Sequence, residues 1–200
     1  MKSALILLGA ALLLSPAATA QQLRFGAKVG LNYSDSRLRG VTNDGTEAIF
    51  SYHLGAVGRY SFGPDAFWNV QAELLYSRKG DNYTPRGGTG VAQRRLNYLD
   101  LPVLAKINAH GLMFEAGPQI GYLVGASYDT GAGTSHDRSG FRPVQLGYVA
   151  GVGYELPSGY SLTIRYNGDA FPITKGGGFL DGPAYSVFQA QFGYLLGGRQ

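Results

Sequence analysis

A strict alternation of apolar and polar residues constrains this chain more than any other feature. In residues 23–34, apolar side chains occupy every odd position from Leu23 to Tyr33, and small or polar residues occupy the even ones. Because successive side chains of a β-strand point to opposite faces, this pattern predicts a strand with one apolar and one polar face. The alternation recurs in residues 50–62, 66–79, 96–108, 111–125, 144–156, 159–167 and 186–196. Pro102 makes segment 96–108 less regular and predicts a local break or bulge there.

The connections between these segments alternate in length. The short ones are residues 63–65, 109–110 and 157–158, and the long, glycine-rich ones lie near 35–49, 80–95, 126–142 and 168–185. Tight turns that alternate with long loops predict an up-and-down meander with all long loops at one end. An even number of strands with this arrangement is typical of bacterial outer-membrane barrels. We therefore predict a single all-β domain, an eight-stranded antiparallel up-and-down transmembrane β-barrel.

Composition favours a barrel whose apolar face points outward. Charged residues make up 15% of the chain, against about 25% in ordinary soluble domains. A soluble ligand-binding barrel in the periplasm, which stays an alternative, would have to place 14 Tyr and 10 Phe mostly in a narrow interior. In a membrane, the same face contacts lipid, and aromatic residues near the strand ends form interfacial rings. The net charge of +4 is too small and dispersed to indicate nucleic-acid binding.

The first twenty residues have the pattern of a secretory signal peptide. Met1-Lys2 supplies positive charge, Ala4 to Leu14 is apolar, and Ala18-Thr19-Ala20 matches an A-x-A cleavage site. We predict that residues 1–20 are removed and that residues 21–200 form the barrel in the outer membrane of a Gram-negative cell. The short turns would then face the periplasm and the long loops the exterior.

Two long motifs resemble the PorT-like outer-membrane β-barrel family. Residues 67–80 (FWNVQAELLYSRKG) are similar to its Q-x-E-L-x-Y-S-x-K-G signature, and residues 96–106 (LNYLDLPVLAK) resemble its Y-L-x-x-P-x-L-x-K signature. Residues 117–123 and 151–155 resemble further family segments. The resemblance implies a small, porin-like outer-membrane barrel in a functionally diverse family. The chain departs from the aromatic C-terminal residue that the assembly machinery often recognises, so Phe192 or Tyr194 would have to serve.

Eight charged side chains fall on the polar, inward face. Five are basic and three are acidic: Arg24, Lys28, Arg59, Glu73, Lys106, Glu115, Glu155 and Arg165. A structural network of ion pairs is the favoured interpretation, and a proton or ion path is the alternative. Eight strands enclose an interior just wide enough for side chains, which favours the network. Counting from the 109–110 turn places Glu115 opposite Leu104 and diagonal to Lys106.

Catalysis and metal binding are not expected. Ser51 and His53 share a face, but counting from the 63–65 turn pairs Glu73 with Gly55, so the three are not in direct contact. A lipid-modifying outer-membrane enzyme stays an alternative. The histidines are assigned to a strand, a turn and an outer loop, too far apart for a shared metal: His53, His110 and His136. The absence of cysteine removes thiolate sites, and we expect no cofactor.

The outer end of the third and fourth segments is rich in cations. Five basic residues gather there: Arg78, Lys79, Arg86, Arg94 and Arg95. Arginine suits bidentate contact with phosphate, so lipopolysaccharide is one predicted partner; the alternative is solvated charge paired with Asp81 and Asp100. We expect a monomer surrounded by outer-membrane lipid, with a structural or surface-interaction role through external loops whose partner the sequence does not name.

Overall fold

The computed structural model describes residues 23–38, 46–63, 65–83, 92–129, 133–174 and 183–197. The expected signal peptide, residues 1–20, lies outside the described residues, as does Arg86.

The chain forms a closed, all-β, eight-stranded antiparallel barrel, which confirms the predicted fold class. Its strands are β1 (Leu23–Leu38), β2 (Thr46–Phe62), β3 (Trp68–Tyr83), β4 (Ala92–Ala109), β5 (Leu112–Asp129), β7 (Val144–Glu155), β8 (Tyr160–Asp169) and β9 (Pro183–Leu195), and a two-residue strand, β6 (Thr134–Ser135), pairs with the end of β5. Each barrel strand pairs with its neighbour in the chain, and β1 pairs with β9 to close the barrel. Closure satisfies the backbone hydrogen bonds that lipid cannot supply.

Several strands run further toward the long loops than the alternation predicts. β1 continues to Leu38 and β2 begins at Thr46, inside the segment expected to be a loop. β4 likewise begins at Ala92. Backbone pairing needs no apolar face, so a strand can continue where both of its faces are polar. The alternation stops earlier because it reports only the part of a strand that has two different environments.

The expected pairings of Glu73 and Glu115 were wrong by two residues. The β2–β3 connection spans residues 63–67, so Phe62 pairs with Trp68 and Glu73 lies opposite Val57. The β4–β5 turn consists of His110 and Gly111. Their φ angles of 53° and 98° are both positive, as in the type I′ turns that connect two-residue hairpins.

Ala109 therefore pairs with Leu112, and Lys106 lies directly opposite Glu115. Pro102 does not shift the register, since it pairs with Gln119 in line with its neighbours, but the β3–β4 pairing is interrupted beside it, between Ala72–Val103 and Leu75–Asp100. The register shifts occur elsewhere, between Asn97 and Tyr98 in β4 and between Ala48 and His53 in β2.

The apolar face of every barrel strand points outward. Leu162 is 62% exposed and Phe50 is 75% exposed. This orientation is the one expected in lipid and the opposite of a soluble ligand-binding barrel. Aromatic side chains gather at both ends of the apolar band. The turn-end ring contains Tyr60, Phe62, Phe67, Trp68, Tyr154, Tyr160 and Tyr194, and the loop-end ring contains Tyr33, Phe50, Tyr52, Tyr76, Tyr122, Tyr148, Tyr166 and Phe188.

Neighbouring strands place ring residues in contact. The ring centroids of Tyr160 and Tyr194 lie 4.7 Å apart, and those of Tyr33 and Phe50 lie 5.0 Å apart.

No helix among the described residues is long and apolar enough to cross a membrane.

Candidate functional site

The interior between the two rings holds a chain of alternating charges. Glu73 accepts a hydrogen bond from Lys28 Nζ at 2.8 Å and two from Arg165, at 2.7 Å from Nη1 and 2.6 Å from Nη2. Arg165 Nε donates to Glu115, whose other oxygen lies 2.6 Å from Lys106 Nζ. All five residues are at most 5% exposed. Buried charges are tolerated when each is paired and hydrogen-bonded in this way.

A second charge cluster lies nearer the turn end. Glu155 is held by Arg59 Nη1 at 2.5 Å and by Arg24 Nη2 at 3.3 Å. Gln71 joins the two clusters, because its Oε1 accepts from Arg59 Nε at 2.8 Å while its amide donates to Glu73. The structure therefore brings all eight inward charges into one network. Sequence reasoning missed Gln71, although its position two residues before Glu73 placed it on the same face.

His53 lies above this network among amide side chains. Its Nδ1 is 2.7 Å from Asn32 Oδ1, and its Nε2 is 3.3 Å from the amide of Gln191. Ser51 instead donates to the backbone carbonyl of Arg78 at 2.6 Å. Ser51, His53 and Glu73 thus each have other partners, and the geometry is not that of a nucleophile bonded to its base.

Of the five cations expected at the outer rim, the four that the structure describes divide between the two faces of the barrel. Lys79 is 1% exposed and lies 3.2 Å from Asp100 Oδ2, with its Nζ 4.8 Å from the centre of the Tyr98 ring. Arg94 also turns inward and makes a bidentate contact with Asp81, at 2.9 and 2.7 Å. These two cations are therefore paired inside the mouth of the barrel.

Arg78 and Arg95 are on the outer wall. Arg78 is half-buried and donates from Nε to Asn97 Oδ1 at 3.1 Å. Its guanidinium lies over the Tyr52 ring, 5.8 Å from the ring centre. Arg95 is exposed. Of the four cations that the structure describes, it thus brings these two together on the outside.

Apolar side chains close the loop end of the interior. Phe141 and Ile173, from the segments after β6 and after β8, are 4% and 0% exposed. They pack with strand residues into one cluster, which we call the mouth plug: Leu96, Tyr98, Leu123, Ala126, Phe141, Ile173, Tyr185 and Val187. A bridge between Phe141 and Thr174 joins the two segments, and Arg142 N donates to the carbonyl of Ile173 at 2.9 Å. The sequence did not indicate this plug, because both apolar loop residues lie outside the alternating segments.

Side chains replace part of the backbone ladder where β2 bulges. The Ser34 hydroxyl donates to the carbonyl of Gly80 at 2.8 Å and accepts from its N–H at 2.9 Å. Asn32 Nδ2 donates to the carbonyl of Arg78 at 2.8 Å. β1 side chains thus reach past β2 and satisfy β3 groups that the bulge leaves unpaired.

The geometry has no arrangement for metal chemistry in the described part of the chain. There, no three His, Asp or Glu side chains are grouped so that they could hold a metal ion. His53 is buried in the wall, and His110 is exposed in the turn between β4 and β5. His136 is exposed in the segment after β6.

A closed eight-stranded barrel with an apolar outer band, two aromatic rings and a polar interior defines an outer-membrane β-barrel protein. A family model agrees: the chain belongs to the family described as outer membrane protein beta-barrel domain, whose model matches residues 19–168. No curated protein matches the chain.

Solved structures show the same fold. Ail, the attachment invasion locus protein of Yersinia pestis, is 13% identical, with a TM-score of 0.51 over 88% of this chain and 99% of Ail. Neisserial surface protein A (NspA) is 12% identical, with a TM-score of 0.55 over 85% of this chain and 96% of NspA. A second structure of Ail, in complex with the heparin analogue sucrose octasulfate, is 14% identical with a TM-score of 0.51 over 88% and 99% of the two chains. At these identities the likeness concerns the fold alone.

Proposed function

We propose that this protein is a monomeric, non-conducting outer-membrane barrel that acts through its outer surface and external loops. One observation carries the proposal: the interior is filled by the ion-pair network and closed by the mouth plug. Because Lys28, Glu73 and Arg165 occupy the centre and Phe141 and Ile173 pack at the loop end, we expect no open route for a solute through the part of the barrel that the structure describes. The outer surface is then the part of the molecule that remains for contact with a partner.

Three further observations support the proposal. The motifs in residues 67–80 and 96–106 support a place among the PorT-like barrels, and residues 1–20 support export through a signal peptide. Ail, which has the same fold, has been crystallised with a heparin analogue, so a barrel of this architecture can bind an anionic ligand. We expect the long connections between the strands to carry the corresponding contacts here.

The proposal is tested by fractionation and loop exchange. The mature protein should require detergent for extraction and should migrate differently in gel electrophoresis before and after heating, as a folded barrel does. Replacing one long connection at a time with a short glycine-serine turn should leave this heat shift intact and abolish capture of a surface partner. Extraction without detergent, or discrete ion conductance in planar bilayers, would refute the proposal.

Enzymatic activity is not part of the proposed function. Ser51 donates to the carbonyl of Arg78, and both ring nitrogens of His53 face amides rather than Ser51. We therefore expect Ser51→Ala to have no effect in a lipopolysaccharide-deacylation assay. Activity in the wild-type protein that this substitution removes would support the lipid-modifying alternative.

A further inference from the structure

Two arginines, the half-buried Arg78 and the exposed Arg95, lie just beyond the apolar band on the outer wall. Arg78 is opposite Asn97 in the β3–β4 pairing, and Arg95 is two residues from Asn97 on β4, so both arginines face the same side. Diagonal neighbours on adjacent strands lie about 7–8 Å apart at Cα. One phosphate-bearing group can therefore contact both guanidinium groups.

The protein itself holds Arg78 in place. Its Nε donates to Asn97, and its guanidinium packs on Tyr52, a member of the loop-end ring. In the part of the chain that the structure describes, the Nη groups of Arg78 and the whole guanidinium of Arg95 have no hydrogen-bond partner. A planar donor that is oriented in advance loses less entropy when it binds a phosphate.

The height of the two arginines on the wall identifies the neighbour. Tyrosine rings mark the boundary between hydrocarbon and headgroups, and Tyr52 and Tyr76 occupy that boundary directly below Arg78. The exposed carboxylates of Glu47 and Asp129 lie farther from the loop-end ring than the two arginines do. Glu47 is opposite Asn82, and Asp129 is opposite Gln93, and both partners lie closer to the loop ends of their strands than Arg78 and Arg95. The cations thus lie at the level of lipid phosphates, and the carboxylates lie in the water beyond.

We propose that Arg78 and Arg95, with Arg78 positioned by Asn97 and Tyr52, form a binding site for a phosphate group of an outer-leaflet lipid such as lipopolysaccharide. This site rests on the proposed function, since it requires the barrel to be in the outer membrane. It excludes Lys79 and Arg94, whose charges Asp100 and Asp81 already neutralise inside the barrel.

The test compares two double variants with the same change in charge. Arg78→Gln/Arg95→Gln removes the site, and Arg138→Gln/Arg142→Gln removes two arginines from the segment between β6 and β7. We expect the first variant to retain no more than about one fifth of the wild-type amount of lipopolysaccharide per purified barrel. The second variant should retain the wild-type amount. A second measurement uses the wild type in lipid nanodiscs and lipopolysaccharide from which the lipid phosphates have been removed. Its affinity should be as low as that of intact lipopolysaccharide for Arg78→Gln/Arg95→Gln.

Three results would overturn the site: equal retention by wild type and Arg78→Gln/Arg95→Gln, an equal loss in the control variant, or full binding of the dephosphorylated lipid. Displacement by millimolar inorganic phosphate would assign the arginines to a soluble anion instead. The heat shift separates this inference from the proposed function. A wild type without a heat shift would contradict the barrel, whereas a normal heat shift with unchanged lipid retention would contradict only the arginine site.

Discussion

At the scale of single residues, Glu73 is the acceptor on which the interior network converges. It receives hydrogen bonds from Lys28, from Gln71 and from two nitrogens of Arg165. Its β3 neighbour Leu74 points to the other face and is 54% exposed. Adjacent positions of one strand therefore differ completely in what a substitution removes.

Glu73→Gln should destabilise the barrel strongly. The amide keeps the shape of the side chain but leaves the buried charge of Lys28 without its paired carboxylate and Arg165 with Glu115 alone, which costs about 3–5 kcal/mol. Urea unfolding in detergent micelles, followed by the loss of the heat-shifted band, measures the change. Leu74→Ala is the matched control and should cost less, because lipid tails fill the space it leaves. If both substitutions cost the same, the network does not contribute as described.

Ser34 shows a residue-scale effect that depends on a neighbouring bulge. Ser34→Ala should cost about 1–3 kcal/mol, because it leaves both the N–H and the carbonyl of Gly80 without a partner in the interior. Hydrogen exchange at the Gly80 amide should become faster in this variant. Ser186→Ala removes a hydroxyl on the half-exposed outer wall and should leave that amide unchanged. Slow exchange at Gly80 in Ser34→Ala would show that another group satisfies the amide.

At the scale of the strands, glycine determines how closely β2 approaches β3. A Cβ added to Gly55 would lie 2.0 Å from the carbonyl oxygen of Leu74 and 2.8 Å from the Cα of Leu75, both backbone atoms. A Cβ added to Gly58 on the same strand would lie 3.4 Å from the Phe25 ring, a flexible side chain. The first contact can be relieved only by moving a strand, and the second needs only a small movement of the ring.

Gly55→Ala should therefore prevent most of the protein from folding, while Gly58→Ala should fold like the wild type. Refolding from urea into detergent micelles, with the heat-shifted fraction as readout, distinguishes the two. A wild-type yield for Gly55→Ala would show that β2 and β3 can separate at this point without loss of the barrel.

At the scale of the whole molecule, two obstacles lie in series along the part of the interior that the structure describes. The ion-pair network fills the part between the aromatic rings, and the mouth plug covers the loop end. The plug consists of strand residues and of two loop segments that bridge at Phe141 and Thr174. Opening one obstacle leaves the other in place.

We therefore expect neither the wild type nor Phe141→Ala/Ile173→Ala to conduct ions in planar bilayers. The double variant removes the loop contribution to the plug but leaves the contacts of Glu73 and Glu115 intact. Conductance in the wild type would contradict the closed interior. Conductance in the double variant alone would show that the plug, rather than the network, is the barrier.

The sequence by itself determined the number of barrel strands, their order and the face that residues occupy within the alternating segments. These properties follow from a period of two and from turn lengths, which are local. For the same reason, Arg24, Glu73 and Arg165 were assigned to the interior without knowledge of their partners. The outer ends of the strands escaped the pattern, because apolar and polar residues do not alternate regularly there.

Only the tertiary structure decided which residues meet. Register depends on the conformation of each turn. The β4–β5 turn lies one residue later in the chain than the sequence predicted, so Lys106 and Glu115 are directly opposite each other rather than diagonal. The bulge that sends Ser34 to Gly80 and the closure that brings Arg165 to Glu73 join residues 46 and 92 positions apart. Side-chain periodicity reports the environment of one strand at a time. It carries no information on the distances across a closed barrel, and those distances determine the network, the plug and the arginine pair.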